Sequence, residues 1–305
     1  MSLVVVGSIA FDAIKTPFGE RERALGGAAV HFALAASYFS DVRVVGPVGD
    51  DFTESEYEVL RRHEVNTEDI EHVEGGKTFF YACEYEWNLN IRHTLDTQLN
   101  VFADFQPKLS EGSINAETLF LANIQPDLQR DVREQCQGAR LSGLDSMNFW
   151  IESARDSLVR TVSMVDLVLL NDDEVRMLTE EPTLLKGAQR IMDLGPRAVV
   201  VKLGEYGASL FTREGFFSLP AYPLEMVIDP TGAGDSFAGG FFGFLDAHDR
   251  ATDDDTLRKA MTYGSAVASY WVEEFGCERA ERLTREEIDE RYDAFRRMTF
   301  IGAQT

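Results

Sequence analysis

Residues 229–237 read Asp-Pro-Thr-Gly-Ala-Gly-Asp-Ser-Phe, and the small, apolar run that follows has the character of a helix. A helix start carries unpaired backbone N–H groups and a partial positive charge. With little side chain at Gly232, Ala233 and Gly234, an anion can come close to those amides, which is the arrangement of a phosphate cradle. Asp235 then stands beside the anion. A carboxylate is an odd neighbour for a phosphate unless it acts on something else, such as an attacking hydroxyl. In phosphoryl transfer the transition state is loose, positioning and charge neutralisation carry most of the catalysis, and a weak base suffices for the late proton. Asp235 is the candidate for that base, and the helix terminus is expected to keep it ionised near neutrality. Taken without its neighbours, a Gly-Asp-Ser would read as a helix cap in a glycine turn.

Two other phosphate motifs are excluded. A Walker A loop ends in Gly-Lys-Ser/Thr, and no lysine stands here; the dinucleotide fingerprint wants a third glycine where Phe237 is found. The nine-residue stretch closely resembles the C-terminal signature of the ribokinase-like, or PfkB-type, sugar and nucleoside kinases. The resemblance implies that Asp235 is the catalytic base and that the backbone of residues 232–234 forms the anion hole. It further implies an ATP-dependent kinase using Mg2+, with a monovalent cation such as K+ beside the loop around Asp229 and Thr231.

The elements that must position this stretch are those of a doubly wound sheet. Apolar runs at 4–6, 42–45, 118–121, 141–144, 165–170 and 198–202 alternate with helical segments. Open sheets of this kind bind ligands at the carboxyl ends of their strands. Several runs end in polar residues: Asn123, Asp145 with Asn148, Asn171 with Glu174, and the turn from Gly204 to Gly207. Singly, each such end also reads as a cap or a turn. Asp12 follows the first strand, where it can meet a ligand or serve as a turn residue. The resemblance makes it the holder of sugar hydroxyls.

Gly26 and Gly27 precede an alanine-rich helix over residues 28–39, and match the family's Gly-Gly signature. The asparagine usual four residues beyond is His31 here, which either contacts substrate or sits satisfied in the core. Residues 45–52, Val-Gly-Pro-Val-Gly-Asp-Asp-Phe, also resemble the family. Asn171 and Glu174 match its Asn-x-x-Glu motif, implying a magnesium and phosphate environment in which Glu174 acts on the metal indirectly. Lys202, Gly204 and Gly207 fall on its nucleotide-contacting strand and turn, with Lys202 where threonine is common. Residues 145–150 resemble an Asp-x-Asn segment but lack its following arginine, which argues against a sugar phosphate as substrate. Gly264, in a helix over residues 256–274, serves either adenine approach or helix packing.

Residues 78–87 alternate strictly, with Phe79, Tyr81, Cys83, Tyr85 and Trp87 on one face, the period of a half-buried strand. A partner is expected around residues 100–105, making a small β-sheet lid that excludes water. The aromatic face suits packing, a dimer contact or a platform for a base.

The fold expected is therefore α/β: a three-layer α/β/α, doubly wound, mostly parallel sheet with a small β-sheet lid. Residues 1–305 are expected to form one kinase domain, with lid strands from about 10–25 and 76–106. An acidic linker is expected over residues 246–255. A net charge of −23 argues against nucleic-acid and membrane partners, both of which need a basic face. Lysine is confined to Lys15, Lys77, Lys108, Lys186, Lys202 and Lys259, and such acidity suits a high-salt habitat as well as an ordinary acidic enzyme. Three dispersed cysteines and a start without a leader pattern point to the cytoplasm. The acceptor expected is a nucleoside, adenosine-like, with a free furanose such as ribose or fructose as the alternative, and a non-catalytic sensor behind both. A homodimer through the lid is a further expectation of the resemblance.

Overall fold

The computed structural model describes residues 2–299. Its strands are β1 (Leu3–Val6), β2 (Ala10–Thr16), β3 (Gly19–Gly26), β4 (Val42–Val48), β5 (Ile70–His72), β6 (Phe79–Tyr85), β7 (Arg92–Gln98), β8 (Thr118–Leu121), β9 (Leu141–Asp145), β10 (Leu167–Asn171), β11 (Ala198–Lys202), β12 (Ala208–Thr212) and β13 (Phe216–Leu219). The helices are α1 (Ala28–Ala36), α2 (Glu54–Arg62), α3 (Glu111–Ile114), α4 (Pro126–Gln135), α5 (Asn148–Ser153), α6 (Arg155–Val162), α7 (Asp172–Thr179), α8 (Leu184–Asp193), α9 (Ala233–Ala247), α10 (Asp254–Trp271) and α11 (Arg285–Thr299).

Nine strands form one sheet in the order β13-β12-β11-β10-β9-β8-β1-β4-β5. All its pairings are parallel except β11 with β12 and β12 with β13. Strands covered on both faces read as unbroken apolar runs, which explains Val4 to Val6, Leu167 to Leu170 and Val199 to Val201. Alternate residues of these strands feed two cores. Leu3 and Val5 pack with α1, α9 and α10 on one side, while Val4 and Val6 pack with α4, α6 and α8 on the other. The layers are thus helix, sheet, helix. Parallel strands put their carboxyl ends along one edge, where Asp145, Asn171 and Lys202 terminate β9, β10 and β11.

The second sheet has the order β3-β2-β6-β7, in which β2 and β6 run parallel and the outer pairs antiparallel. It corrects the expected partner of β6. That partner is β7, joined through a turn over residues 87–90, whereas Asn100–Asp104 forms a short 3-10 turn. The seven residues of β7 are all exposed and mostly polar, so they carry no period-two signal. Phe102 and Phe105, three apart, stack at 5.8 Å as a helical turn allows, and Asn100 adopts a left-handed φ of 49° that ends the strand.

The aromatic face of β6 is likewise divided. Phe79 stacks on Phe102, the Tyr81 hydroxyl meets Thr94, Tyr85 is buried, and Trp87 stands exposed beyond the strand. Two other boundaries differ from expectation. The apolar residues 216–228 before the glycine stretch, which read as a strand-like run broken by prolines, are strand only over β13, because prolines cannot donate to a ladder. The expected acidic linker begins later: Asp246 is fully buried inside α9, where it accepts hydrogen bonds from Ser40 and from the Thr118 hydroxyl (2.6 Å). No helix among the described residues is long and apolar enough to cross a membrane.

Candidate active site

The glycine stretch turns into α9 through Gly232, which caps the helix at φ 74°, a left-handed conformation that costs glycine nothing. No side chain caps this helix. Ala233 N–H turns back to Pro230 O at 3.2 Å, so of the expected donors it is the one already engaged, leaving the Gly232 and Gly234 amides and that of Asp235 itself at the helix start. The preceding loop is stapled from within. Buried Asp229 accepts from Thr231 N–H (2.8 Å) and Gly276 N–H (2.9 Å), and the Thr231 hydroxyl meets Tyr85 of the small sheet at 3.1 Å. Both Asp229 oxygens therefore serve the backbone, and burial raises the Asp229 pKa above the usual range.

Asp235 lies in the first turn of α9. Burial, and after it the negative charge of Asp145, raises its pKa to about 6. It remains a base at neutral pH, but by a narrower margin than the helix terminus alone would give. Lys202 is the balancing cation. Its ammonium donates to Asp145 Oδ2 at 2.5 Å and lies 3.1 Å from where a Cβ on Gly234 would sit. Any residue larger than glycine at 234 would press on that ammonium.

Asn171 and Glu174 come together differently from the expectation. The Asn171 side chain accepts from Glu174 N–H (2.8 Å), and Glu174 Oε2 accepts from Asn171 N–H (2.7 Å), a complete capping box for α7. Burial, then Asp145, raises the Glu174 pKa to about 7. These hard oxygens suit Mg2+, yet among the described residues no group of three acids or histidines is arranged to hold a metal alone. That fits an ion that arrives with phosphates rather than one resident in a protein cage.

Asp12 belongs to β2, paired with Ala24 of β3, so it sits on the small sheet rather than just past β1. A Cβ on Gly26 would lie 2.0 Å from Asp12 Oδ2, and one on Gly27, at φ 93°, 2.4 Å from Ser8 O. The glycine pair is thus required by close approach, Gly26 to Asp12 on β2 and Gly27 to the loop after β1. His31, one turn into α1, is 1% exposed, and a Cβ on Gly232 would fall 2.5 Å from its ring. The N-terminal and C-terminal glycine motifs therefore meet at this imidazole. Its Nδ1 accepts from the Trp271 indole N–H at 2.9 Å, while Nε2 has no partner and stands 3.9 Å from Asp12 Oδ2. Asn123 also keeps a buried, unpartnered Oδ1 at the end of β8.

Gly204 and Gly207, with φ 56° and 102°, shape the turn after β11, and Glu205 between them accepts from Asn90 at the tip of the β6–β7 hairpin (2.8 Å). Gly264 does not join the cluster. Its missing side chain leaves room for Phe237 O, 2.7 Å from where a Cβ would be, which is the packing of α10 on α9 that is the other reading of this glycine. Reading the sequence missed Trp271, an apolar-looking residue at a helix end. It also missed Arg92 of β7, which lies 5.6 Å from the Tyr81 ring and whose charge reaches Glu174.

The pfkB family carbohydrate kinase description matches residues 2–282. A cytidine kinase of Thermococcus kodakarensis is 28% identical over 79% of this chain and 87% of its own length. A nucleoside kinase of Methanothermobacter thermautotrophicus is 28% identical over 90% of both chains. Among solved structures, that of Burkholderia thailandensis nucleoside kinase in complex with inosine superposes with a TM-score of 0.79 at 20% identity, covering 96% of this chain and 97% of that one.

Proposed function

Because the chain belongs to the pfkB family of carbohydrate kinases, we propose that it transfers the γ-phosphoryl group of ATP to a hydroxyl of a nucleoside. The observation that carries this reading is the uncapped start of α9 with Asp235 in its first turn, faced by Asp12 and the unpartnered nitrogen of His31. The free amides of Gly232, Gly234 and Asp235 and the Lys202 ammonium receive phosphate charge, and Asp12, His31 and Asn123 receive the acceptor. Asp235 takes the proton of the attacking hydroxyl as the new O–P bond forms and the bond to the ADP oxygen breaks. Mg2+, which would be held through Glu174 and the phosphates, supplies neutralisation of charge on the transferring group. That supply matters here, because Asp145, Glu174 and Asp235 outnumber Lys202.

Residues 1–305 act in this reading as one kinase unit. The small sheet is its lid, tied to the anion loop by Tyr85 and to the Gly204–Gly207 turn by Asn90. Asn171, Gly204 and Gly207 frame the nucleotide. A potassium ion beside Asp229 and Thr231, a cytoplasmic location and a lid-to-lid homodimer belong to the same reading. The nucleoside choice leans on the named activities of the relatives rather than on the β6 aromatics, most of which are engaged in packing. The test is kcat/KM with ATP and Mg2+ on cytidine, adenosine, inosine, ribose and fructose. A nucleoside should lead. A free sugar preferred over every nucleoside overturns the acceptor, and no turnover of any of them overturns the kinase.

A further inference from the structure

Resting on that reading, we propose that Trp271 is a positioning residue: its indole N–H fixes His31 as the neutral tautomer with its proton on Nε2, and that N–H donates to a ring hydroxyl of the nucleoside, distinct from the attacking one, whose own proton points to Asp12. An indole nitrogen only donates. At 2.9 Å from the Trp271 Nε1–H, His31 Nδ1 must therefore present its lone pair, so the one proton of a neutral ring lies on Nε2. The Cys277 Sγ lies on the same side, 3.4 Å from that Nδ1. Trp271 is 1% exposed at the end of α10, and His31 is held against Gly232, so neither ring is free to turn away.

The opposite nitrogen is built for a ligand. Nε2 is buried without a partner, and its 3.9 Å separation from Asp12 Oδ2 is too long for a hydrogen bond. One oxygen at ordinary hydrogen-bond distance from both atoms would bridge that separation. Such an oxygen must accept from His31 and donate to Asp12, which describes a hydroxyl and excludes an ether or a carbonyl. Gly26 and Gly232 keep the space clear, since side chains there would run into Asp12 and His31 respectively.

The lock answers a problem set by the surroundings. The titratable groups facing His31 are Asp12 on β2, Asp229 and Asp235 at the start of α9, and Cys277 beyond α10, with no lysine or arginine paired to the ring among the described residues. Burial disfavours an imidazolium, Cys277 and Asp12 favour it, and their net pull is toward the cation. A proton on Nδ1 would face the indole N–H donor to donor, so Trp271 decides for the neutral ring. In this way a histidine performs the role of the pH-independent amide that the asparagine of the resembling family would supply at this position.

The experiment uses the full chain with 15N-labelled histidine, the His31→Asn variant assigning the signal. In the wild type, His31 should show a bare Nδ1 and a protonated Nε2 from pH 6 to 8. Trp271→Phe should let both nitrogens carry protons at pH 6. A wild-type ring protonated on Nδ1 at pH 7, or a Trp271→Phe ring unchanged from wild type, overturns the lock. Kinetics then locate its use. On the preferred nucleoside at pH 6.5, Trp271→Phe should lower kcat/KM by roughly tenfold or more, the scale of one buried hydrogen bond to a polar partner. The 2′- or 3′-deoxy analogue lacking the bridging hydroxyl should lose little. The same substitution in the His31→Asn background should cost less than about threefold, since the amide needs no lock. Equal losses in both backgrounds would assign Trp271 to packing and overturn the inference while leaving the kinase reading intact. Failure of the wild type to phosphorylate any nucleoside would overturn that reading and with it the donation to substrate, with the tautomer still decided by the nitrogen spectra.

Discussion

α7 and α9 begin at the same edge of the large sheet, and each carries an acid three residues after its N-cap. At α7 the N-cap is Asn171 and the acid Glu174, and the two side chains satisfy each other's amides. At α9 the N-cap is Gly232 and the acid Asp235, and no side chain touches the amides. The spacing is the same, but the outcome is opposite. A side chain at the N-cap closes a helix end upon itself; its absence leaves the helix field and its donors for an outside anion, and frees the acid for another task. Both acids have raised pKa values from burial and from Asp145, so electrostatics alone does not separate them. Their hydrogen bonds do.

The contrast breaks most visibly at Asp235. Asp235→Asn should lower kcat by about 10² to 10⁴-fold on the preferred nucleoside, the usual range for a general base. ATP affinity should hold within a few-fold, because the backbone donors survive. A variant keeping half its kcat would put Asp235 in the same class as Glu174, a capping acid. Next in size is the pH profile. With Asp235 required as the base, kcat should fall about tenfold per pH unit below its pKa of about 6. A kcat flat from pH 5 to 8 would separate the rate from that carboxylate.

Glu174 should answer in stability. A carboxyl whose folded pKa stands above its unfolded value contributes stability that is present below about 4.5 and is lost as pH rises through about 7. Glu174→Gln keeps the reach of the capping box and removes that titration. Its unfolding midpoint in urea should match or exceed wild type at pH 8. Glu174→Ala loses the cap and should cost about 0.5 to 2 kcal/mol. If the Gln variant is the less stable of the two at pH 8, the box is not what Glu174 provides. The smallest effect concerns the loop before α9. Molar KCl should raise both the melting temperature and the activity of a chain with a net charge of −23, by screening its self-repulsion, and potassium should exceed sodium for activity if a cation sits beside Asp229 and Thr231. Best performance in low salt with no preference between the two ions removes both ideas.

Sequence by itself determined the layers and the chemistry-bearing stretch. β8, β10 and β11 lie within a residue or two of their apolar runs, because strands buried on both faces must be apolar throughout. The turn into α9 was legible because glycine adopts its left-handed backbone without cost. The lid was half legible: β6 has two unlike faces and shows its period, whereas β7 is exposed on both and shows none. What tertiary structure alone decided lies in contacts between distant positions. Asn-x-x-Glu reads the same whether it caps a helix or holds a metal, and Gly264 reads the same whether it faces adenine or Phe237. His31 and Trp271 are 240 positions apart, and Gly232 closes on the imidazole from a third element. A hydrogen bond between side chains has no period and no local composition, so the state of that imidazole is fixed only when α1, α9 and α10 pack together.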